Sequence, residues 1–296
     1  MDFDLKAYLN VRRLMVENAL NTLLPVESER PQKLNEAIRY SVLAPGKRLR
    51  PTLVIAAAEA LGEDADLVMH VACALECIHV FSLIHDDLPC MDNDDYRRGR
   101  LTSHKVYGEA MALLAGDALL ALAFELVAAN PRSLPLDRVV QTMHIIARAS
   151  GTRGMVGGQV VDMESQGVEV SQETLFYIHE HKTGALISGS VAAGAVMAGA
   201  TQSQQEDLQV YGQQIGLAFQ IADDILDVVG DEARIGKPVG SDQERDKATY
   251  PRLFGLEKSR EMAHFHVQRA LDALSTFGAG ADPLRAIASY IVERDL

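Results

Sequence analysis

Two aspartate clusters are the residues in this sequence most able to do chemistry, and the second has the simpler geometry. Asp223, Asp224 and Asp227 close an apolar run, FQIADDILDVV. On a helix, Asp223 and Asp227 lie one turn apart and project from the same face. Like charges at this spacing destabilise an isolated helix, whereas carboxylate oxygens are ligands that Mg2+ prefers. The pattern favours a magnesium site over the alternative, a solvated acidic face.

The first cluster comprises Asp86, Asp87 and Asp92, and it follows another apolar run. On an ideal helix Asp86 and Asp92 would point from different faces. Pro89 lies between them, removes a backbone donor and disfavours helical conformation at Leu88. We therefore predict that the helix ends here and that the following loop curls Asp92 back toward Asp86.

Two groups of basic residues accompany the first cluster in the sequence, one directly after it and one well before it. Arg97 and Arg98 follow the cluster directly, and the segment GKRLRP, residues 46–51, contains three basic side chains. That segment lies at the start of a predicted helix, where backbone N–H groups can receive phosphate. Two carboxylate clusters with cations beside them indicate a cage for Mg2+ and a polyphosphate.

The charge balance limits the possible partners. The chain has 28 Lys and Arg against 41 Asp and Glu, a net charge of -13. Nucleic-acid binding depends on phosphate neutralisation by basic side chains, so we expect no nucleic-acid partner. An anionic substrate must instead be held by local positive charge or bound metal, against the overall field.

Cysteine usage and the N-terminal sequence indicate a reducing compartment. Cys73, Cys77 and Cys90 lack zinc-ligand spacing, and the first two are expected to be small core residues. The N-terminal MDFDLKAYLNVRR has no apolar run long enough for a signal peptide or a membrane span. We expect a cytoplasmic protein without a membrane span.

Helical periodicity extends over nearly the whole chain, and strand signals are scarce. With 48% hydrophobic residues the chain can bury a sizeable core. Helices are predicted over 3–24, 31–43, 51–61, 66–88, 109–129, 136–150, 172–200, 204–230, 257–274 and 283–292. Glycine-containing breaks are expected at 151–158, 236–240 and 277–281. Because no linker divides the chain, we predict a single all-α domain over residues 1–296, a bundle of about ten or more helices.

The order of these motifs resembles the trans-prenyltransferases, the polyprenyl diphosphate synthase family, most closely its bacterial farnesyl diphosphate synthases. DDLPCMD at 86–92 is similar to the family's first aspartate-rich motif with two extra residues, and DDILD at 223–227 to the second. Further signatures follow the same order, at 46–51, 97–99, 157–162, 182–183 and 236–237. A lone DDxxD would be weak, but the ordered set is specific and spans nearly the full length.

The resemblance implies a helical bundle around a deep central cavity, with the two aspartate motifs facing each other across its mouth. It implies about two or three Mg2+ ions, for which Mn2+ can substitute. The implied metal ligands are Asp86, Asp87, Asp92, Asp223 and Asp227, with Asp224 nearby. The allylic diphosphate would also contact Arg97, Lys182, Lys237 and Lys247. Isopentenyl diphosphate, bound without metal in this family, would contact Lys47, Arg50, His79 and Arg98.

The implied reaction begins with cleavage of the allylic C–O bond, which leaves a diphosphate anion and a carbocation. Metal and basic groups stabilise the leaving group, and an apolar pocket must exclude water from the cation. The isopentenyl double bond then attacks, and a proton is lost. The resemblance places Lys182, Thr183 and Gln220 near the cation, so the implied catalytic set is Asp86, Asp92, Asp223, Lys182, Thr183 and Gln220.

Product length is implied by the positions four and five residues before the first aspartate, Ser82 and Phe81. Small Ser82 leaves room for a second addition, whereas Phe81 should stop many more. This favours farnesyl diphosphate, with geranyl and geranylgeranyl diphosphate as alternatives. Both residues could also be ordinary core residues.

Two other classes of protein are alternatives to a synthase. A class I terpene cyclase shares the bundle but lacks a second-substrate cation pocket, and a non-catalytic synthase subunit typically loses an aspartate motif. Both motifs are intact here, and basic residues stand at 47, 50 and 98. Because the family is usually dimeric, a homodimer is expected.

Overall fold

The chain folds almost entirely into α-helices, as a computed structural model of residues 3–129, 134–168, 170–229 and 249–293 describes. The first half contains α1 (Leu5–Leu23), α2 (Gln32–Val42), α3 (Leu49–Glu59), α4 (Ala65–Asp86), α5 (Ser103–Tyr107) and α6 (Glu109–Ala128). The second half contains α7 (Leu136–Ser150), α8 (Met155–Glu164), α9 (Gln172–Ile178), α10 (Ala185–Met197), α11 (Gln202–Val229), α12 (Tyr250–Phe254), α13 (Leu256–Ala273) and α14 (Asp282–Glu293). The predicted all-α fold class is confirmed.

Helix α4 is the central element of the first half, because it is apolar on all sides and a helix of that composition must be buried. It packs against α3, α6 and α10. Val71, Leu75 and Ile78 are excluded from solvent along its length. Asp86, its last residue, is therefore held by a rigid and deeply packed helix.

A second core forms around α11, which packs against α10 and α13. Ile215 and Ile221 of α11 are buried in this core together with Ile187 of α10 and Val267 of α13. This packing fixes the end of α11 that carries the second aspartate cluster. Each of the two aspartate clusters thus stands at the end of a core helix.

Three of the local differences from the predictions lie near the candidate site. The helix expected over 172–200 is interrupted by a π-helical turn, His179–Gly184. The break expected over 151–158 is shorter, because α8 begins at Met155 and includes two glycines. A two-stranded antiparallel hairpin, β1 (Tyr96–Arg97) and β2 (Arg100–Leu101), was not predicted, because strands of two residues carry no periodicity.

In the described part of the chain, two helices, α4 and α6, are long and apolar enough to cross a membrane, if length and composition are the only criteria. Of the most apolar 18-residue stretch in each helix, 72% is buried in α4 and 39% in α6. The buried core helix of a globular domain meets the same criterion. These helices are therefore weak evidence for a membrane span.

Candidate active site

The first aspartate cluster forms a loop that folds back on the end of α4. The helix ends at Asp86, and the backbone N–H of Asp92 donates to the Asp86 carbonyl at 2.8 Å. The N–H of Asn93 donates to the Leu88 carbonyl at 3.1 Å, with Asn93 in the left-handed region at φ 53°. The predicted curl of Asp92 back to Asp86 is confirmed.

The carboxylate of Asp86 stands in a crowded electrostatic environment. Burial raises its pKa to about 6, and the nearby carboxylates of Asp92 and Asp87 act in the same direction. Lys182 and Arg97 oppose this rise. A divalent cation would relieve the repulsion between these carboxylates, and their hard oxygen atoms suit Mg2+.

The carboxylates fit a metal site that other ligands complete. Among the described residues, no three Asp, Glu, His or Cys side chains converge on one point as a finished metal cluster. Mg2+ commonly takes one or two carboxylates, with water and substrate phosphate oxygens in the remaining positions. Asp86 and Asp92 supply carboxylates for such a shared site.

The carboxylate of Asp87 forms a salt bridge with Arg97. The guanidinium makes two contacts with the same carboxylate oxygen, Nε at 2.7 Å and Nη2 at 2.6 Å, and Asp87 is buried. A second carboxylate, that of Asp94, lies 3.6 Å from Arg97 Nη2. Burial raises the pKa of Asp87 while the Arg97 hydrogen bond lowers it. In this arrangement Asp87 fixes Arg97 at the site, and its role as a metal ligand stays a prediction.

A separate basic pocket surrounds His79. Burial lowers the pKa of this imidazole well below its ordinary value, and the positive charges of Arg50 and Arg98 lower it further, so His79 is neutral near pH 7. Burial lowers the pKa of Arg50 to about 10, and its Nε is buried without a hydrogen-bond partner in the described residues. The pocket thus concentrates positive charge, and the Nε–H of Arg50 remains able to donate a hydrogen bond to a bound anion.

This pocket brings together three of the four residues predicted for isopentenyl diphosphate, namely Arg50, His79 and Arg98. The fourth, Lys47, is exposed at the turn before α3. The pocket gathers cations, whereas the Asp86 site gathers carboxylates. Arg97 lies between them, because it pairs with Asp87 and also lowers the pKa of His79.

A buried ion pair that was not predicted, Arg48 with Glu76, adjoins the basic pocket. Arg48 Nη1 lies 2.6 Å from Glu76 Oε1, and both side chains are almost fully buried. Arg48 Nη2 donates to the carbonyls of Val42 and Ala44 at 2.8 and 2.7 Å. The pair therefore fixes the turn that carries Lys47 and leads into Arg50. Glu76 lies within an apolar helical run, and a lone carboxylate in such a run is the signal that could have revealed it.

The π-helical turn holds Lys182 and Thr183 between the two aspartate clusters. Lys182 Nζ donates to Asp162 Oδ2 of α8 at 2.6 Å and also interacts electrostatically with Asp86. A side chain at Gly158 would overlap the backbone nitrogen of Lys182, so only glycine lets α8 lie this close. The Gly-Gly-Gln segment and Asp162 therefore position Lys182.

The aspartates of the second cluster differ in burial and in their contacts. Asp224 is buried, accepts a hydrogen bond from the Tyr250 N–H at 2.9 Å, and lies 3.8 Å from His179 Nε2. Asp223 and Asp227 are partly exposed on α11, as is Gln220 about one turn earlier. Since His179 begins the turn that carries Lys182, this turn connects the second cluster with the first.

The remaining predicted site residues lie in two places. Phe81 is buried on α4, with its ring edge-on to that of His85 at a centroid distance of 5.1 Å. Ser82 is half-buried and donates to the His79 carbonyl at 2.8 Å. Lys237 and Lys247 lie outside the described residues. The functional roles of all these residues stay predictions.

The fold and the site define an all-helical protein that holds anionic substrates between carboxylates and a basic pocket. The Polyprenyl synthetase family model matches residues 31–275. The chain belongs to that family, and it is a prenyltransferase that condenses isopentenyl diphosphate with an allylic diphosphate.

Relatives with established names cover almost the entire chain. A geranylgeranyl diphosphate synthase of Cyanophora paradoxa is 46% identical over 99% of this chain and 98% of its own length. A farnesyl diphosphate synthase of Geobacillus stearothermophilus is 46% identical over 97% of each chain. The crystal structure of an FPP/GFPP synthase from Zymomonas mobilis is 40% identical, with a TM-score of 0.88 over 99% of this chain and 100% of that one. These relatives share the reaction class but differ in product length.

Proposed function

We propose that this protein is a Mg2+-dependent farnesyl diphosphate synthase that adds isopentenyl diphosphate to dimethylallyl and then to geranyl diphosphate. The observation that carries the proposal is the presence of two separate candidate sites for a diphosphate, the carboxylate site at Asp86 and the basic pocket around His79. The carboxylate of Asp86 lies near that of Asp92 and near Lys182, whereas Arg50 and Arg98 surround His79. A condensation of two diphosphates needs one site where a diphosphate leaves and another where a diphosphate is only held.

The leaving diphosphate belongs at the carboxylate site. Asp86, Asp92 and Asp223 are the proposed principal Mg2+ ligands, with Asp87 and Asp227 as further ligands. Bound Mg2+ would supply positive charge to the departing diphosphate. Lys182 and Arg97 would place fixed positive charge on the same group, and Lys237 and Lys247 are proposed to add to it.

The held diphosphate belongs at the basic pocket. Fixed cations must bind it where no metal is shared. The guanidinium of Arg98 and the Nε of Arg50, which has no hydrogen-bond partner within the described part of the chain, are suited to this. A neutral His79 can donate or accept one hydrogen bond without adding charge. Lys47 at the adjacent turn completes the proposed contacts.

The carbocation forms between these sites and needs protection from water. Lys182, Thr183 and Gln220 are proposed to line it, with Thr183 and Gln220 offering side-chain oxygen dipoles to the positive centre. The proton released after attack of the isopentenyl double bond would pass to the departed diphosphate, which is more basic than a carboxylate, whereas cationic side chains cannot accept a proton.

The proposal of a C15 product depends on the position of Phe81. Its ring is buried on α4 one turn or more before Asp86, in the direction that a growing chain would follow. One turn of helix advances about 5.4 Å, close to the length of an isoprene unit. Geranylgeranyl diphosphate is the second candidate product, because Ser82 is small and similar proteins carry that name.

We also propose a cytoplasmic homodimer. The outer side of α6 exposes Leu113 and Leu114, and α7 exposes Leu136 and Val140. Apolar exposure on adjacent helices favours burial by another protein surface, and a second copy is the simplest partner. Sedimentation of the purified protein would test this, and a monomer at micromolar concentration would contradict it.

The test is incubation of purified protein with isopentenyl and dimethylallyl diphosphate, with and without Mg2+, followed by chromatography of the dephosphorylated products. A Mg2+-dependent C15 alcohol is expected. C10 or C20 products would retain the reaction and refute the chain length. Asp223→Ala should reduce turnover by at least about two orders of magnitude with an unchanged helical CD spectrum; near-normal turnover would refute the metal assignment.

A further inference from the structure

The hairpin β1–β2 carries the two arginines that follow the first aspartate cluster. Arg97 lies in β1, opposite Arg100 of β2, and Arg98 lies in the turn. Arg97 pairs with Asp87, and Arg98 Nη1 donates to the Pro45 carbonyl at 3.1 Å. The first strand and the turn of the hairpin therefore bring cationic groups to both diphosphate sites.

The second strand of the hairpin is attached elsewhere, to Tyr40 of α2. The guanidinium carbon of Arg100 lies 4.1 Å from the centroid of the Tyr40 ring, a cation–π distance. The Tyr40 hydroxyl donates to the Leu101 carbonyl at 2.8 Å. Tyr107 packs edge-on against Tyr40 at 5.5 Å between centroids. One side chain thus holds both residues of β2, and Tyr107 supports it.

The hairpin needs such an attachment because it has little stability of its own. Each strand has two residues, and an isolated two-stranded hairpin is marginal in water even when it is longer. Its turn also places Arg98 at φ 54° and Gly99 at φ 75°, and the left-handed region is unfavourable for a residue such as arginine. External contacts must therefore hold the arginines in position.

We infer that Tyr40 is a positioning residue for the diphosphate sites, acting through Arg100 and Leu101 to fix the hairpin that presents Arg97 and Arg98. The inference rests on the proposed function, because it assigns diphosphate binding to those two arginines. In the part of the chain that the structure describes, Tyr40 and Arg100 act on the hairpin, through their contacts with each other and with Leu101, and not on the carboxylates of the site. Their distance from the chemistry distinguishes positioning from catalysis.

The consequence should differ between the two substrates. Arg97 is held independently by two contacts with the Asp87 carboxylate. Within the described residues, Arg98 instead has one hydrogen bond, to the Pro45 carbonyl, and its guanidinium lies against Gly46 without a carboxylate partner. Loss of the Tyr40 attachment should therefore displace Arg98 more than Arg97. The KM for isopentenyl diphosphate should rise more than the KM for the allylic diphosphate.

The test compares Tyr40→Leu, Tyr40→Phe and Arg100→Leu with wild type. Tyr40→Leu should raise the KM for isopentenyl diphosphate about tenfold, with a smaller change in kcat, because misplaced binding groups lose affinity. Tyr40→Phe keeps the ring and loses one hydrogen bond, so a rise of about two- to threefold is expected. Arg100→Lys should restore part of the loss seen in Arg100→Leu.

Tyr96→Leu is the matched control, because Tyr96 is exposed in the same hairpin and faces Leu101 in the register. It should leave both KM values unchanged. Calorimetric titration of wild type and variants with isopentenyl diphosphate without Mg2+ gives a readout independent of turnover, and weaker binding by Tyr40→Leu is expected.

Wild-type KM and affinity in Tyr40→Leu and Arg100→Leu would overturn the inference, as would a lowered Tm with unchanged KM, which indicates a structural role alone. If Tyr40→Leu does not fold, Tyr40→Phe and Arg100→Leu decide by the same criterion. Wild-type protein that neither binds isopentenyl diphosphate nor condenses it would instead refute the proposed function on which the inference rests.

Discussion

The carboxylate of Asp224 accepts a hydrogen bond from the backbone N–H of Tyr250 at 2.9 Å, although Asp224 stands within the second aspartate cluster. Tyr250 is the first residue of α12, and Asp224 is buried on α11. The bond joins the two helices that flank residues 230–248. Asp223, its neighbour in sequence, projects in another direction and is partly exposed.

Asp224 should therefore respond to substitution differently from Asp223. Asp224→Ala leaves a buried N–H without its acceptor and should reduce the free energy of unfolding by about 1–3 kcal/mol. Asp224→Asn retains an acceptor oxygen and should cost less. Thermal and urea denaturation measure both. If Asp224→Ala keeps wild-type stability and loses activity as severely as Asp223→Ala, Asp224 acts in the chemistry instead.

The buried pair of Arg48 and Glu76 should contribute strongly to stability. Glu76→Ala leaves the buried Arg48 guanidinium with a single carboxylate nearby, that of Glu17 at 3.9 Å from its Nε. The cost should therefore lie at or below the lower end of the ~3–5 kcal/mol typical of a buried charge that loses its only partner. Glu76→Gln keeps a hydrogen-bonding oxygen and should cost less. The turn before α3 should also loosen, so the KM for isopentenyl diphosphate should rise in any folded variant.

An exposed pair of the same N–O distance provides the control for this prediction. Arg260 and Glu257 also lie 2.6 Å apart, but Glu257 is mostly exposed. Glu257→Ala should therefore cost no more than about 1 kcal/mol. Urea denaturation measures both variants. Equal losses in Glu76→Ala and Glu257→Ala would show that burial adds nothing to the Arg48 pair.

The contrast between the two aspartate clusters and this ion pair shows what could be predicted from the sequence. The fold of Asp92 back to Asp86 depends on Pro89, a local effect, and it was predicted correctly. The partnership of Arg48 with Glu76 joins residues 28 positions apart, and neither residue type indicates the other. Long-range pairs of this kind depend on how helices pack, which periodicity does not specify.

The same limit applies to secondary structure. Core helices such as α4 are long, apolar and periodic, so their presence was predictable. The π-helical turn at Lys182 forms where α8 packs against it closely, and the β1–β2 hairpin is held by Tyr40 from a distant helix. Both are set by tertiary contacts, and both carry candidate substrate-binding residues. The least predictable segments are therefore parts of the candidate site.

Gly158→Ala should lower kcat by displacing Lys182. The added methyl group would overlap the backbone nitrogen of Lys182, and backbone cannot yield as a side chain can. Displacement of the π-helical turn by about 1 Å should lower kcat by up to about a hundredfold. Val160→Ala, at an exposed position of the same helix, is the control and should have wild-type kcat. Wild-type kcat in Gly158→Ala would contradict the positioning of Lys182 by α8.

Substitution at Ser82 should shorten the product. Ser82 lies one turn before Asp86 on α4, so an aromatic ring there would meet the chain after fewer additions. We expect Ser82→Phe to shift the product toward geranyl diphosphate and Phe81→Ala to shift it toward C20 or longer. Chromatography of dephosphorylated products measures the ratio. Unchanged ratios in both variants would refute the placement of the product floor on α4.

Gly116 should influence product length from a different helix. A side chain at Gly116 of α6 would overlap the His85 imidazole, which also donates a hydrogen bond from Nε2 to the Leu113 carbonyl at 3.0 Å. The His85 ring in turn supports the buried ring of Phe81 at 5.1 Å. Gly116→Ala should therefore turn His85 away from α6 and move Phe81, which changes the ratio of C15 to C20 products. Ala121→Gly, at an exposed position of α6, is the control for backbone effects and should leave the ratio unchanged. A wild-type product ratio in Gly116→Ala would show that His85 does not set the position of Phe81.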